Sequence, residues 1–218
     1  MAEAGAQVVF VGTDAEHLEE TLNSAGEAYK SNLKGVLADL ATEEGVNSLF
    51  EQADKELNGL DILINNAALG AGGVTEGGYA DWYKVIQTNL TSYIACAGFA
   101  TERMKKAAKG HIINIGSMSA HTREKGSTIY VATKTGIQGF SESLRKEVNE
   151  LGIKVSLIEP GAVDTDMQPA STEEKKESVE KLEMLTAEDI AAAVMYVASQ
   201  PERCDVVGLQ IRPHLQII

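Results

Sequence analysis

Short runs of apolar residues alternate along the whole chain with longer segments of helical periodicity, and this alternation restricts the possible folds. The runs lie at residues 7–12, 35–40, 60–65, 111–116, 154–159 and 205–211. Most of them are continuously apolar, as strands buried on both faces are, rather than alternating between apolar and polar residues. The pattern therefore predicts an α/β fold, a doubly wound (Rossmann-like) parallel sheet with helices on both faces.

The segments between these runs predict the helices. Apolar residues recur at helical spacing at residues 15–26, 42–57, about 79–107 and 128–151, and a final helix runs from a Thr186–Asp189 capping pattern to Ser199. Residues 171–185 are highly charged, which predicts a mobile helix or lid. Because no repeat or linker interrupts the pattern, we expect a single domain over residues 1–218.

The charge balance argues against two classes of partner. The chain has 19 basic and 32 acidic residues and a formal net charge of −13, so it repels phosphate backbones and anionic lipids. We expect no nucleic-acid or membrane partner. Cys96 and Cys204 are far apart and predict free thiols in a cytoplasmic protein. The histidines show no metal-ligand spacing, so we expect no metal.

Tyr130 and Lys134 are the first candidate catalytic pair. They are four residues apart on a predicted helix and therefore share one of its faces. A free tyrosine has a pKa of about 10, and a nearby ammonium group favours the phenolate and lowers that pKa. This spacing predicts a tyrosine that exchanges protons near neutral pH. It also arises by chance, so other residues must support it.

Three further positions support the pair. Ser117 follows the predicted strand at residues 111–116, where its hydroxyl could bind a substrate oxygen. Asn89 lies inside the long predicted helix, although asparagine is a poor helix former that usually needs a specific partner there. The sequence NNAA at residues 65–68 ends another predicted strand with two small residues, which would let a flat ligand approach the backbone.

The motifs NNAA, TNL, IINIGS, YVATK and PGAVDTDM occur in this order, and together the chain resembles the short-chain dehydrogenase/reductase family. The resemblance implies an oxidoreductase that interconverts a carbonyl group and a secondary alcohol with NAD or NADP. It implies that Tyr130 transfers the proton and that Lys134 lowers the tyrosine pKa and holds the nicotinamide ribose. Ser117 would position the substrate oxygen, and Asn89 would anchor a water in a proton relay.

The resemblance also implies where the dinucleotide binds. Asp39 and Leu40 would contact the adenine, Asn65 and Ala67 would lie along the cofactor, and the 160–165 segment would flank the nicotinamide. The implied cofactor residues are Thr13, Asp39, Leu40, Asn65, Ala67, Tyr130, Lys134, Pro160, Gly161, Val163 and Thr165. Asp14 would repel a 2′-phosphate whereas Thr13 could bind it, and we expect a slight preference for NADP.

The beginning of the chain departs from the family pattern. The family opens with a strand, a glycine-rich turn and a helix, but MAEAGAQVVF resembles the last turn of that helix followed by the second strand. We therefore expect the first strand, the glycine-rich turn and most of the helix, roughly two dozen residues, to be absent. The glycine-rich stretch at residues 70–78 is a poor substitute because Thr75 stands where the motif needs glycine.

That expectation leaves several structures and functions open. The first strand lies centrally in this type of sheet, so the protein could be longer, the sheet could close up, or a partner chain could fill the gap.

The alternative function is a cofactor-free binding or scaffolding protein. A serine hydrolase using Ser117 and His121 is a more distant possibility, since no acidic partner is evident. The other expected partners are a small carbonyl or alcohol substrate and a second copy, in a homodimer or homotetramer.

Overall fold

Six strands and eight α-helices follow one another in the computed structural model, which describes residues 1–168 and 170–216. The strands are β1 (Val8–Gly12), β2 (Leu33–Leu37), β3 (Ile62–Asn65), β4 (Gly110–Ile115), β5 (Ile153–Pro160) and β6 (Gly208–Ile211). The helices are α1 (Ala15–Ser24), α2 (Glu43–Glu56), α3 (Tyr79–Ile86), α4 (Ser92–Ala107), α5 (Ser119–Thr122), α6 (Thr128–Val148), α7 (Thr172–Glu180) and α8 (Ala187–Ala198).

All strand pairs are parallel, as the sequence predicts, but the strands form two separate sheets. One sheet has the order β1-β2 and the other has the order β3-β4-β5-β6. Their registers are set by pairs such as Val8↔Leu33 in the first sheet and Ile113↔Ser156 in the second. Within the described residues, β1 and β3 each have only one strand neighbour, and residues of both strands line one cavity.

Helices pack on both faces of the larger sheet, which confirms the predicted layering. On one face α2, α4 and α6 enclose a core that contains Phe50, Met104 and Ile112. On the other face α8 covers β4 and β5, with Val197 against Ile158 in a second apolar cluster. The strands at the centre of the larger sheet are therefore buried from both sides, and functional side chains must lie beyond the strand ends.

Polar residues fix where several helices begin. The Asp14 carboxylate accepts hydrogen bonds from the first backbone N–H groups of α1, and the Thr42 side chain does the same for α2. Thr186 and Asp189 form the predicted capping box of α8. These caps satisfy amide groups that have no partner inside a helix.

Several boundaries differ from the sequence predictions, and the last strand begins at Gly208 rather than at residue 205. Strand β2 ends at Leu37 rather than at residue 40, because Asp39 begins the turn that caps α2. The helix predicted at about 79–107 is divided by a π-helical turn, Gln87–Thr91. The short helix α5 between β4 and α6 is not predicted, whereas the charged 171–185 segment does contain a helix, α7.

Candidate active site

Side chains that follow β4 and β5 meet side chains from α6 at the carboxyl edge of the larger sheet. The backbone of Met118, just after β4, donates a hydrogen bond to the carbonyl oxygen of Pro160 at the end of β5 (2.8 Å). Tyr130 and Lys134 lie in the first two turns of α6, which packs on β5. Tyr130 and Lys134 are therefore held by a rigid helix, whereas Ser117 lies in the short connection between β4 and α5.

Tyr130 and Lys134 share one face of α6, as predicted. The Nζ atom of Lys134 lies 5.6 Å from the centre of the Tyr130 ring and 5.7 Å from that of Tyr93. It donates a hydrogen bond to the backbone oxygen of Ile115 (3.0 Å). Only 2% of Lys134 is exposed, so its ammonium group is held beside the phenol and is shielded from solvent.

Burial has opposite effects on the pKa values of these two residues. Loss of hydration disfavours the charged form of each group. It lowers the pKa of Lys134 to about 8. It also raises the pKa of Tyr130, and this outweighs the lowering effect of the Ser117 side chain. The lowered tyrosine pKa predicted from the sequence is therefore wrong for the free protein, because burial dominates. At neutral pH Tyr130 is protonated and Lys134 is mostly cationic.

Ser117 lies directly beyond β4, and its hydroxyl interacts with that of Tyr130. The Ser117 oxygen also accepts a hydrogen bond from the Ser119 backbone at the start of α5 (3.1 Å). His121 instead pairs with Glu159, with Nε2 and Oε2 2.9 Å apart. Among residues 1–168 and 170–216, Ser117 and His121 form no hydrogen bond, so the described structure gives the hydrolase hypothesis no catalytic pair.

Asn89 lies in the π-helical turn and is completely buried. Its side chain forms two hydrogen bonds with the backbone of Leu69: Oδ1 accepts from the N–H (2.7 Å) and Nδ2 donates to the C=O (2.8 Å). Nδ2 also approaches the Thr133 hydroxyl on α6 (3.4 Å). Asn89 therefore fixes the loop after β3, which agrees with the expectation that an asparagine inside a helix needs a specific partner.

Asn65 also has a different environment from the expected one. Its side chain is buried and donates to the side chain of Asn114 (2.9 Å), rather than lying open along the sheet edge. Asn114 in turn donates to Ser141 on α6 (2.9 Å). This network joins β3, β4 and α6, so any contact of Asn65 with a cofactor would have to use its backbone. Ala67, two residues further on, is exposed.

The segment after β5 lies beneath the charged helix α7. Val163 forms a short parallel bridge with Leu185. Lys175 of α7 is buried, and its Nζ atom lies 3.0 Å from the Asp164 carboxylate and 3.2 Å from the Thr165 carbonyl oxygen. Val163 and Thr165 therefore belong to a short segment that contacts α7 and the residue Leu185 after it, and the contact from Lys175 was not predicted from the sequence. Because Lys175 lies in a run of charged residues, the spacing of apolar residues gives no indication that this lysine is buried.

Gly161 lies in close surroundings. A Cβ atom there would collide with the side chain of Gln216 and with Pro213. Its N–H donates to the carbonyl oxygen of Ile211 (2.8 Å), which continues the sheet beyond β5. A side chain at this position would require Pro213 to shift, whereas the flexible end of Gln216 could move away.

The predicted adenine-side residues lie beyond β1 and β2. Thr13 and Asp14 are exposed between β1 and α1. Hydrogen bonds from the backbone of His17 and Glu16 hold the Asp14 pKa below its usual value, so its carboxylate is charged. Asp39 accepts from the Ala41 N–H (2.9 Å) in the turn before α2, and Leu40 packs against the core on that side.

Two further features, a membrane-spanning helix and a metal site, are absent from the described part of the chain. No helix among residues 1–168 and 170–216 has both the length and the apolar character needed to cross a membrane. The same residues contain no group of three or more His, Cys, Asp or Glu side chains placed to hold a metal ion.

Sequence comparison identifies the family. The family model described as short chain dehydrogenase matches residues 1–176. An uncharacterized oxidoreductase of Staphylococcus aureus (strain USA300) is 35% identical over 214 residues, covering 97% of this chain and 88% of the relative. A 3-oxoacyl-[acyl-carrier-protein] reductase of Haemophilus influenzae is 34% identical over 212 residues, covering 91% of this chain and 83% of the relative. The family match begins at residue 1, so it does not support the expected absence of the first strand and glycine-rich turn.

Structural comparison agrees with the sequence match. A closed form of serine dehydrogenase complexed with NADP+ aligns with a TM-score of 0.82 and 28% identity, covering 96% of this chain and 86% of that chain. Serine dehydrogenase from Escherichia coli aligns with a TM-score of 0.79 and 28% identity, covering 96% and 88%. These comparisons give no support to a cofactor-free scaffold. The chain belongs to the short-chain dehydrogenase family and is an oxidoreductase of that family.

Proposed function

We propose that the chain is an NAD(P)-dependent oxidoreductase that interconverts a carbonyl group and a secondary alcohol, with Tyr130 as the acid and base. The observation that carries this proposal is the buried ammonium group of Lys134 beside the Tyr130 ring, 5.6 Å from its centre. The fold itself does not require a buried ammonium group next to a phenol. Burying such a charge without a full set of hydrogen-bond partners costs free energy.

The hydrogen bonds of Lys134 support a role in holding the cofactor. A lysine ammonium group has three N–H donors. Within residues 1–168 and 170–216, only the Ile115 carbonyl oxygen accepts a hydrogen bond from this group. The remaining donors suit the two hydroxyls of a ribose, so the residues present fit a nicotinamide nucleotide on this side of the site. The nicotinamide supplies the hydride when it is bound.

The proton is the protein's own contribution. In reduction, the Tyr130 hydroxyl donates its proton to the substrate oxygen, which becomes the alcohol oxygen, and the Ser117 hydroxyl donates a hydrogen bond to the same oxygen. In oxidation the proton moves from the alcohol to the phenolate. Because burial raises the Tyr130 pKa, the free protein holds the phenol protonated and is prepared for reduction. The Lys134 ammonium stabilises the phenolate left after the transfer.

The choice between NADP and NAD depends on Thr13 and Asp14. The Thr13 hydroxyl could bind a 2′-phosphate, which supports the slight preference for NADP, whereas the charged Asp14 carboxylate would repel it. Asp39, Leu40 and Ala67 are proposed to contact the rest of the dinucleotide. Pro160, Gly161, Val163 and Thr165 are proposed to flank the nicotinamide, and Asn65 to contact the cofactor through its backbone.

The names of two relatives suggest a substrate class. A 3-oxoacyl group and serine both carry an oxygen on the third carbon of an acyl or carboxylate chain, and we propose a 3-oxo or 3-hydroxy carboxylic acid derivative. Titration of the purified chain with NADPH and NADH, followed by fluorescence, tests cofactor binding. We expect saturable binding at micromolar concentrations and oxidation of the cofactor with a 3-oxoacyl thioester. A folded chain that binds neither cofactor at millimolar concentration would refute the proposal.

We also propose that the chain forms a homodimer or homotetramer in the cytoplasm. Apolar side chains on α3 and α4 are exposed, among them Tyr79 (78%) and Ile94 (46%). Such side chains on neighbouring helices are typical of contacts between subunits. Cys96 and Cys204 are both free thiols, which is compatible with a reducing compartment. Light scattering measures the oligomeric state directly, and a monomer at micromolar concentration would refute this part.

A further inference from the structure

A buried carboxylate lies near the end of β5, on a face of the strand that is otherwise apolar. Side chains of a strand alternate between its two faces, so Val155, Leu157 and Glu159 share the face that packs on α6. Val155 and Leu157 belong to apolar clusters with side chains of that helix, yet Glu159 is only 5% exposed. Burying a carboxylate costs free energy unless hydrogen bonds replace its lost hydration.

Both oxygens of this carboxylate contact side chains of neighbouring helices. Oε2 lies 2.9 Å from Nε2 of His121 on α5. Because a carboxylate only accepts hydrogen bonds, the His121 nitrogen is the donor. Oε1 accepts a second hydrogen bond from the side-chain amide of Gln138 on α6 (3.3 Å). Glu159 therefore joins α5 and α6 to the end of β5.

The contact with α6 lies on the side of the helix that carries the candidate catalytic pair. Gln138 follows Lys134 by four residues and Tyr130 by eight, all within Thr128–Val148. Residues at these spacings lie along one side of a helix. Holding Gln138 against β5 therefore also holds Tyr130 and Lys134 at a fixed distance from the end of that strand.

The contact with α5 acts on the Ser117 hydroxyl. Helix α5 has only four residues, and a helix this short depends on tertiary contacts for its stability. Its first residue, Ser119, donates its backbone N–H to the Ser117 oxygen (3.1 Å). Its third residue, His121, is the one that Glu159 holds. Fixing α5 in this way fixes the N–H group that orients the Ser117 side chain.

We propose that Glu159 is a positioning residue that sets the separation between the Ser117 and Tyr130 hydroxyls. Through His121 it holds the turn that orients Ser117, and through Gln138 it holds the helix that carries Tyr130. The inference rests on the proposed function, in which both hydroxyls bind one substrate oxygen. A shift of about 1 Å at a reacting group can slow a reaction by about a hundredfold, so this separation strongly affects the rate.

Stability alone does not account for the buried carboxylate. Replacing a buried ion pair with apolar side chains of similar size is often neutral or stabilising. The backbone on either side of Ser117 is already held by β5, since Gly116 donates to Ile158 (2.7 Å) and Met118 donates to Pro160 (2.8 Å). Those bonds fix the path of the chain but not the direction of the Ser117 side chain, which is the part that the carboxylate adds.

Glu159→Gln tests the proposal, because it keeps the size of the side chain and replaces the charged acceptor with a neutral amide. The matched control is Glu142→Gln, the same change at an exposed position of α6. With NADPH and a 3-oxoacyl thioester, Glu159→Gln should lower kcat by roughly tenfold. It should leave the KM for NADPH within about twofold of the parent value, and the control should change neither constant.

A Ser117→Ala background separates positioning from a general structural effect. Once the Ser117 hydroxyl is absent, its separation from Tyr130 no longer matters, so adding Glu159→Gln should lower kcat by less than about twofold. His121→Ala removes the α5 contact alone and should behave in the same way, which provides a second variant if Glu159→Gln does not fold. An equal loss of kcat in both backgrounds, or no loss in a folded variant, would overturn the proposal.

Hydrogen exchange provides a readout that does not require activity. The Ser119 N–H, which binds the Ser117 oxygen, should exchange roughly tenfold faster in Glu159→Gln than in the parent chain or in Glu142→Gln. A parent chain without turnover would count against the proposed function. Unchanged exchange at Ser119 in a folded Glu159→Gln variant would count against this inference instead, so the two failures are distinguishable.

Discussion

Asn89 and Leu69 are joined by two hydrogen bonds, one in each direction, between the Asn89 side chain and the Leu69 backbone (2.7 and 2.8 Å). The pairing fastens the π-helical turn to the loop that follows β3. It satisfies a backbone N–H and a C=O that would otherwise lack partners in a region where Asn89 is fully buried.

Removing this side chain should therefore destabilise the fold. Asn89→Ala should lower the free energy of unfolding by about 1–3 kcal/mol for each group left unpaired, as measured by urea denaturation. Asn149→Ala is the matched control, because Asn149 is exposed and should change stability by less than about 0.5 kcal/mol. Equal stabilities for the two variants would show that the pairing does not hold the loop.

Lys134 should make stability depend on pH above neutrality. Its folded-state pKa is lowered to about 8 from 10.5, so between these values the unfolded chain binds more protons than the folded one. Stability therefore rises with pH through this window, relative to a chain without the group. Replacing Lys134 with Met should remove this contribution, and the difference between the two unfolding curves measures it.

The exposed Lys146 provides the control for that comparison. Lys146 pairs with Glu142 on the solvent side of α6, so Lys146→Met should leave the slope of stability against pH unchanged from pH 8 to 10.5. If Lys134→Met has the same slope as the parent chain, the ammonium group is not desolvated as the structure indicates.

Lys175 should hold α7 against the segment after β5. Its ion pair with Asp164 and its bond to the Thr165 carbonyl oxygen fix the helix at one point. Lys175→Met should increase cleavage within α7 by an endoprotease specific for glutamate, by roughly tenfold, equivalent to about 1.4 kcal/mol of local stability. Lys176→Met, which alters an exposed neighbour, should not. Equal cleavage rates would contradict a fixed helix.

Asp14 should influence which dinucleotide binds. Asn also caps helices well, so Asp14→Asn should keep α1 intact while removing the negative charge. The ratio of NADPH to NADH affinity, measured by fluorescence titration, should rise by roughly five- to tenfold, equivalent to about 1 kcal/mol. Glu16→Gln removes a neighbouring charge without touching the cap, and an equal rise there would assign the effect to net charge instead.

The strands and the paired Tyr130 and Lys134 could be predicted because each depends on a local pattern. A continuous apolar run predicts a buried strand, and a spacing of four predicts a shared helix face. The π-helical turn could not be predicted, since one extra residue in a turn scarcely alters the apolar period. The end of β2 was misplaced because Asp39 caps the next turn instead of extending the strand.

The environments of side chains were harder to predict because they depend on contacts that are distant in sequence. Asn65 turns toward Asn114, which is 49 residues away, and nothing near either residue indicates that pairing. The raised pKa of Tyr130 follows from burial by the whole fold, whereas the spacing to Lys134 indicated only the opposing effect.

Tyr130 should transfer the proton in the redox reaction, and the Tyr130→Phe variant removes the hydroxyl that would carry it. The measurement is turnover of the cofactor with a 3-oxoacyl thioester, made beside a fluorescence titration of the same variant with NADPH. Turnover should fall by roughly a hundredfold or more, while NADPH affinity should stay within about threefold of the parent chain. Turnover retained at the parent rate, with the cofactor bound, would contradict it.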